Sequence, residues 1–217
     1  PISRQFATDR YHSRDIVHLV TTETRALGRP RQFDEETVLD RVTEVFWKQG
    51  YAQTSVADLV EATGVHKPSL YRTFGSKDEL FALVLRRYVT TRMEAFAERV
   101  ESTAPGTDGI QQFLAAMRDD LVDGVGSRGC LLVASSSELH GTTPGFEDFG
   151  AVYRRAIRDV LRPLVAKAGG SPTDIDQRTN VLATWLLGLD VTARGGATTN
   201  ELEQAIDSMG HLIDNWA

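Results

Sequence analysis

Apolar residues recur at intervals of three and four along nearly the whole chain, and this periodicity is the feature that most limits its fold. Leu182, Trp185, Leu186 and Leu189 form one such stripe. This spacing places side chains on one face of an α-helix. Runs that alternate apolar and polar residues between Asn-Gly or Asp-Gly turns would indicate β-hairpins, but the two Asp-Gly pairs here flank a helical stripe. We therefore predict an all-α protein.

Capping residues mark where the helices begin. Ser and acidic residues three positions apart have the spacing of a capping box, and Asp34 before the first stripe is a further N-cap candidate. The capping pairs are Ser55 with Asp58, Ser76 with Glu79, and Ser171 with Asp174. Glycines such as Gly50 and Gly64 stand where helices should stop. These signals predict about nine helices, at 34–49, 55–62, 66–73, 77–103, 108–123, 129–139, 144–168, 172–193 and 199–215.

The composition is that of a globular protein. Apolar residues make up 41% of the 217 residues and charged residues 25%, near globular averages. No apolar run is long enough to span a membrane, and the first residues lack the apolar core of a secretory signal. Cys130 is the single cysteine, which excludes an intrachain disulfide and a cysteine-based zinc site. We expect a cytoplasmic protein without membrane contacts.

Charge is distributed unevenly between the two ends. Residues 1–92 contain 14 Lys and Arg against 12 Asp and Glu, whereas residues 93–217 contain 10 against 18. An acidic surface repels a polyanion, and the N-terminal part lacks that excess of negative charge. The asymmetry indicates a nucleic-acid-binding end on an acidic body.

Two short predicted helices in the N-terminal part are joined by a glycine turn at Gly64 and Val65. This is the pattern of a helix-turn-helix, whose second helix enters the major groove of DNA. The second helix carries Ser69, Tyr71 and Thr73, whose side chains can reach phosphates and base edges. Ahead of the unit, Arg29 and Arg31 could form an arm that enters the minor groove, although they could equally be a solvated basic linker.

Residues 64–80, Gly-Val-His-Lys-Pro-Ser-Leu-Tyr-Arg-Thr-Phe-Gly-Ser-Lys-Asp-Glu-Leu, resemble the TetR family of bacterial transcriptional repressors. Thr54-Ser55-Val56 before them, with Phe46 and Gly50-Tyr51, extend the resemblance to about a quarter of the chain. The family implies a dimeric all-α repressor that a small ligand, bound in the C-terminal domain, releases from its operator. It also implies a helix-turn-helix DNA-binding domain at 29–76 and a ligand-binding and dimerisation domain at 77–217. Residues 1–28 carry no clear apolar stripe, and we expect them to be a flexible leader.

The resemblance also implies roles for single residues. Phosphate contacts are expected from Thr54, Ser55, Tyr71 and Lys77, and base-edge contacts from His66, Lys67, Ser69 and Thr73. The family often has Ser where His66 stands and His or Tyr where Thr73 stands, so the operator sequence is left open.

The remainder of the chain is expected to hold the effector and the dimer interface. We expect a ligand cavity between the fifth to eighth helices. Its lining is expected to consist of Phe113, Met117, Cys130, Leu131, Phe149, Tyr153 and Trp185. Such an aromatic and aliphatic lining predicts an apolar or amphipathic effector. The last two helices are expected to form the homodimer. A packing seam in the last helix consists of Leu202, Ile206, Met209, Ile213 and Trp216, and its alternative is burial within one chain.

Other functions are predicted less strongly. Cys130 could sense electrophiles or oxidants, but a free cysteine is usually a buried apolar residue. A small-molecule enzyme would need a cluster of titratable residues, which the sequence does not indicate, and we predict no catalytic residue. Gly124, Gly126 and Gly129 match a dinucleotide fingerprint, but a helical stripe precedes them where the fingerprint requires a strand. The five histidines lack metal-ligand spacing, so we predict neither cofactor nor metal.

Overall fold

A computed structural model describes residues 33–122, 129–133, 135 and 149–216. Within these ranges the chain is helical and contains no strand, which confirms the all-α prediction. A helical stretch lies at 131–133, and a 3₁₀ turn, Asp214–Trp216, closes the chain. The α-helices are α1 (Glu35–Gln49), α2 (Val56–Thr63), α3 (Lys67–Phe74), α4 (Lys77–Ser102), α5 (Thr107–Val122), α6 (Phe149–Lys167), α7 (Pro172–Arg194) and α8 (Thr199–Ile213).

The predicted helix caps are present in the structure. Asp34 caps α1 by accepting a hydrogen bond from the Thr37 amide at 3.0 Å. All three predicted capping boxes form, at α2, α4 and α7. A fourth, Thr198 with Glu201, begins α8. Because each box joins residues three apart, the chain specifies these helix starts locally.

The first three helices and the beginning of α4 form an N-terminal unit. Helix α1 packs on α2 and α4, and α3 packs on both of its neighbours. Leu59, Val65, Leu70 and Phe74 are buried between them and form a small core of the helix-turn-helix. Arg87 of α4 donates to Glu36 and Asp40 of α1 at 2.7 and 2.6 Å, so α1 is held against α4 by charge as well as by packing.

The remaining helices form the body. Helix α6 packs against α4, α5 and α7, while α8 packs on α5 and α7. Ile110, Ile157, Leu161, Leu164 and Leu182 are fully buried at these contacts. Helix α4 runs from the N-terminal unit into the body and is the covalent connection between them. No helix in the described residues is long and apolar enough to cross a membrane.

The apolar stripe of α8 has a different role from the predicted one. Leu202, Ile206 and Ile213 are at most 3% exposed in the single chain, and Met209 is equally buried. Helix α8 turns this stripe towards α5, and Trp216 is half-buried against the same core. The seam prediction was therefore wrong for these side chains: they complete the core of one chain, because α5 presents a matching apolar face.

Candidate nucleic-acid interface and buried polar cluster

Helix α3 is an eight-residue helix with its polar side outward. Gly64 ends α2 with a φ of 69°, and its amide donates to Val60, so the chain reverses direction within three residues. A side chain at Gly64 would be strained because this φ is in the left-handed region. Pro68 fits the first turn of α3, where its missing amide proton costs nothing. These local signals set the position of α3 after α2.

Several predicted DNA-binding residues lie on the outer face of α3. His66 and Lys67 are exposed, and Tyr71 is 37% exposed. The Lys67 ammonium lies 5.4 Å from the centre of the Tyr71 ring. Ser69 and Thr73 are half-buried on the same helix. The structure therefore brings these five side chains together on one short helix.

The residues flanking α3 have structural contacts. Thr54 is 1% exposed, and its hydroxyl donates to the Gly50 carbonyl at 2.6 Å. The Thr54 hydroxyl therefore points into the unit, and the phosphate contact of Thr54 stays a prediction. Ser55 is exposed but uses its oxygen to cap α2. Lys77 donates to the Thr54 carbonyl at 2.7 Å and lies over the Tyr51 ring at 4.3 Å, so it ties the unit together.

A further exposed cation lies on this helix. Arg72 follows Tyr71 on α3 and is exposed, with one guanidinium nitrogen 3.5 Å from the Ser69 hydroxyl. The resemblance assigned Arg72 no contact of its own, although its cationic side chain on the second helix of the motif indicates from the sequence that it can reach phosphates. Arg29 and Arg31, the predicted minor-groove arm, lie outside the described residues.

The predicted effector-lining residues lie in the core of the body. Phe113, Leu131 and Tyr153 are at most 2% exposed, Cys130 is fully buried, and Met117 is nearly so. Trp185 is half-buried, and the side chain of Phe149 lies outside the described residues. In the described residues these side chains are therefore buried or half-buried in the core of the body. A cavity of about 190 Å³ lies elsewhere, between α5 and α8, where Leu114, Ile206 and His211 line it.

Five polar side chains form a buried polar cluster beside this aromatic core: Tyr88, Arg92, Cys130, Tyr153 and Asp190. One Arg92 nitrogen donates to both carboxylate oxygens of Asp190, at 3.1 and 3.2 Å. The other terminal nitrogen donates to the Tyr88 hydroxyl at 3.3 Å. Cys130 and Tyr153 are hydrogen-bonded at 3.0 Å. Residues from α4, α6 and α7 and the 129–130 segment therefore meet through polar contacts.

Burial changes the titration of this cluster. It raises the pKa of both Tyr88 and Tyr153 well above that of a free phenol, so both hydroxyls keep their protons at neutral pH. Burial also raises the pKa of Asp190, although the positive charge of Arg92 works to lower it. The Arg92 Nε–H is buried and has no hydrogen-bond partner among the residues that the structure describes. An unpaired buried donor is unfavourable, and it can receive an acceptor from a ligand.

One residue of this cluster, Asp190, stands out in the sequence but was missing from the predicted sites. Asp190 falls within the apolar stripe of α7, next to Leu189 and one turn after Leu186. A carboxylate on the buried face of a helix needs a partner. Its partner, Arg92, is 98 residues away in the chain, and only the fold brings the two together.

The described residues contain no group of three or more His, Cys, Asp or Glu that could hold a metal ion. The segment before the Gly124-x-Gly126-x-x-Gly129 pattern is α5, which is helical to Val122. A dinucleotide fingerprint requires a strand at that place, so this pattern does not have the expected context.

The chain is similar to known regulators. Residues 38–84 match the family described as bacterial regulatory proteins, tetR family. The HTH-type transcriptional repressor ComR of Escherichia coli (strain K12) is 29% identical over 193 residues, covering 83% of this chain and 89% of ComR. The HTH-type transcriptional repressor BdcR of the same organism is 27% identical over 191 residues, covering 88% and 94%.

Solved structures agree with these relatives. A cysteine mutant of CifR, a TetR family transcriptional regulator solved with 26-base-pair operator DNA, is 29% identical. It has a TM-score of 0.70 and covers 84% of this chain and 98% of CifR. A TetR transcriptional regulator from Chloroflexus aurantiacus has the same fold, with a TM-score of 0.71 and 24% identity over 83% of this chain and 95% of its own.

Proposed function

This chain belongs to the TetR family of bacterial transcriptional regulators, and we propose that it is a homodimeric repressor of a palindromic operator, released by a small effector. The observation that carries the DNA-binding part is the outer face of α3. There, exposed His66, Lys67, Tyr71 and Arg72 lie on a short helix whose packing side is buried. Such a helix can enter the major groove, with its ends near the phosphates.

We assign different tasks to the residues of this surface. Lys67, Tyr71 and Arg72 bind phosphates or guanine edges, since their side chains are the longest and most exposed. His66, Ser69 and Thr73 read base edges. We assign phosphate contacts to Lys77 and Ser55, through the polar groups that are not used in their hydrogen bonds within the protein. Thr54 positions the unit through its hydrogen bond to the Gly50 carbonyl.

Selection of bound duplexes from a random DNA pool tests this function. We expect a palindrome whose half-sites lie one helical turn or a multiple apart. Affinity for it should fall steeply with salt, since phosphate contacts release counterions. Recovery of no sequence at low salt would refute operator binding.

The dimer is assigned to exposed faces of the last two helices. On α7, Val181 and Val191 are 49% and 56% exposed, and on α8 Leu212 is 57% exposed. Thr184 and Gly188 continue the exposed stripe of α7 between the two valines, at spacings of three and four. A cognate helix packs on such a stripe, and no atom approaches the free face of Gly188 within 4 Å. A second copy of the chain would bury these side chains.

Light scattering of a Val191→Asp variant tests this interface. A charge in a buried apolar seam opposes association, so we expect a monomer that keeps its helical circular dichroism. Ala57→Asp, at an exposed position of α2 in the N-terminal unit, is the control and should remain dimeric. A dimeric Val191→Asp protein would place the interface elsewhere.

The effector is assigned to the aromatic core next to the polar cluster. Phe96 lies between the two, with the Arg92 guanidinium 4.9 Å from its ring and Phe113 edge-on at 5.7 Å. The unpaired Arg92 Nε–H favours an effector with an oxygen acceptor. Because Asp190 already neutralises Arg92, an uncharged effector avoids burying a second negative charge. Since these side chains are packed, the effector binds a more open state of the core.

Three small probes of similar shape test this assignment: acetophenone, ethylbenzene and benzoate. Acetophenone should release operator DNA at the lowest concentration, as followed by fluorescence anisotropy. The Arg92→Lys variant keeps the charge but lacks Nε–H. In this variant, acetophenone and ethylbenzene should release operator DNA at similar concentrations. Equal potency of all three on the unchanged chain would contradict the assignment.

Two alternatives concern Cys130 and enzymatic activity. Electrophile or redox sensing needs thiol access, yet Cys130 is fully buried and bonded to Tyr153. This burial favours a packing role. A Cys130→Ser variant that no longer responds to N-ethylmaleimide, while the unchanged chain releases DNA, would favour sensing instead. A small-molecule enzyme on this bundle would have to use the polar cluster, which has the only buried Arg–Asp pair in the described ranges.

A further inference from the structure

The side chain of Trp47 connects the N-terminal unit to the body independently of α4. Trp47 lies near the end of α1 and is 8% exposed. Its indole nitrogen donates to the Gly129 carbonyl at 3.1 Å. Its own carbonyl accepts a hydrogen bond from Arg194, the last residue of α7, at 2.7 Å. The end of α1 is therefore held by two polar contacts to the body.

Gly129 suits this contact because it has no side chain. Its φ is 65°, in the left-handed region. A Cβ at this position would lie 2.5 Å from the carbonyl oxygen of Asp190 and 3.1 Å from the Cβ of Arg194. Glycine thus lets the backbone lie directly against the end of α7 while its carbonyl accepts from Trp47.

The same tryptophan contacts the buried polar cluster. Its ring packs edge-to-face with that of Tyr88 at 5.2 Å. The Tyr88 hydroxyl accepts a hydrogen bond from Arg92 at 3.3 Å. Cys130, another member of the cluster, follows Gly129 directly in the chain. A displacement of Tyr88 therefore changes the ring contact of Trp47, and a displacement of Cys130 moves the Gly129 carbonyl that accepts from Trp47.

We propose that Trp47 is the positioning residue through which the buried polar cluster sets the orientation of the helix-turn-helix unit. The proposal rests on the proposed function, since it names how that regulation passes between the two regions. Helix α1 is fixed to α4 by Arg87 and by the contact of Phe46 with Phe81 at 4.6 Å. Helices α1 and α4 therefore move together, and the Trp47 contacts hold this pair at one angle to α7.

Coupling between the polar cluster and the DNA-binding unit must act in both directions. If the cluster sets the position of the DNA-binding unit, operator binding must in turn change the stability of the cluster. Cys130 is inside the cluster and is the single cysteine of the chain. Its reaction with a thiol reagent therefore reports how often the cluster opens.

The first experiment needs no DNA. The rate at which 5,5′-dithiobis(2-nitrobenzoate) labels Cys130 is compared in the full chain and in Trp47→Phe, which loses the indole N–H but keeps an aromatic ring. Loss of one buried hydrogen bond should accelerate labelling about fivefold. Trp216→Phe, which replaces the half-buried tryptophan of the C-terminal 3₁₀ turn, is the matched control and should label at the unchanged rate. Equal rates for Trp47→Phe and the unchanged chain would overturn the link.

The second experiment adds the duplex recovered by selection, with a scrambled duplex of equal length as control. The selected duplex should change the labelling rate of the unchanged chain about fivefold or more, a typical coupling between two sites. Trp47→Phe should bind the duplex and lose this change. A variant that keeps the full change would overturn the proposal, because coupling would then pass through α4 alone. Failure to select any duplex refutes the proposed function, and the first experiment still decides the link.

Discussion

The helix-turn-helix unit and the buried polar cluster use polar side chains in opposite ways. In the unit, Ser55 bonds Asp58 and Ser76 bonds Glu79, three residues apart and in contact with solvent. In the cluster, Arg92 bonds Asp190 across 98 residues, and Trp47 bonds Gly129 across 82. The first region keeps its charges on the surface, where DNA can reach them. The second region buries its charges, and removing one partner there costs the most free energy of unfolding.

The largest effect is expected in the body, where Ile206→Asp introduces a charge into the core. Ile206 is 2% exposed, and an unpaired charge there should lower the free energy of unfolding by about 4 kcal/mol or more. Leu212→Asp, on the exposed side of the same helix, is the matched variant. Urea denaturation should show that Leu212→Asp retains its stability per chain. If Ile206→Asp were a stably folded monomer, the apolar stripe of α8 would be assigned again to the interface between two chains.

The next effect concerns the buried ion pair. Asp190→Asn leaves the Arg92 charge without its partner and should cost about 3 kcal/mol of unfolding free energy. Arg162 with Asp176, an exposed pair at 2.9 Å, provides the comparison: Asp176→Asn should cost less than about 1 kcal/mol. Both are measured by urea denaturation. Similar costs for the two pairs would mean that burial of Asp190 does not govern the cluster.

An exposed position of the DNA-binding unit should affect binding and leave stability unchanged. Lys67→Ala should lower operator affinity about tenfold and reduce the salt dependence by about one phosphate contact. Its thermal midpoint should match that of the unchanged chain, since Lys67 is exposed and its ammonium lies 5.4 Å from the centre of the Tyr71 ring. Anisotropy titrations at several salt concentrations measure this. An unchanged salt slope would remove Lys67 from the phosphate contacts.

A smaller effect is expected from the helix caps. Ser76→Ala removes the hydroxyl that accepts from the Glu79 amide at 3.2 Å and should cost about 1 kcal/mol of unfolding free energy. Ser76→Asp should restore most of the lost unfolding free energy, because a carboxylate can also cap the start of α4. No loss in the alanine variant would show that packing alone positions α4.

The smallest effect is a pH dependence with opposite signs in the two regions. Hydrogen bonds with Ser76 hold the pKa of Glu79 below its usual value of 4.5, so its contribution is present above that pH and is lost on acidification. Burial raises the pKa of Asp190, so its ionised form is disfavoured in the folded chain and acidification relaxes that penalty. Glu79→Gln should therefore lose less unfolding free energy between about pH 6 and 3 than the unchanged chain. An identical loss would indicate that other carboxylates dominate.

The sequence by itself determined the helices and the DNA-binding motif. Stripes at helical spacing and capping pairs three residues apart are local, and so is the Gly64 turn. For this reason α1 to α4 begin and end within one residue of the predicted positions. The outward position of Lys67 and Tyr71 followed from the same local geometry.

Only the tertiary structure decided what each apolar or charged side chain faces. The stripe of α8 could pack on a second chain or on α5, and helical spacing is the same in both cases. Thr54 turned inward because Gly50 offers a carbonyl at 2.6 Å, while Asp190 found Arg92 and Trp47 found Gly129 across most of the chain. These choices depend on which surfaces meet, since burial and hydrogen bonding are properties of the assembled helices and not of their individual sequences.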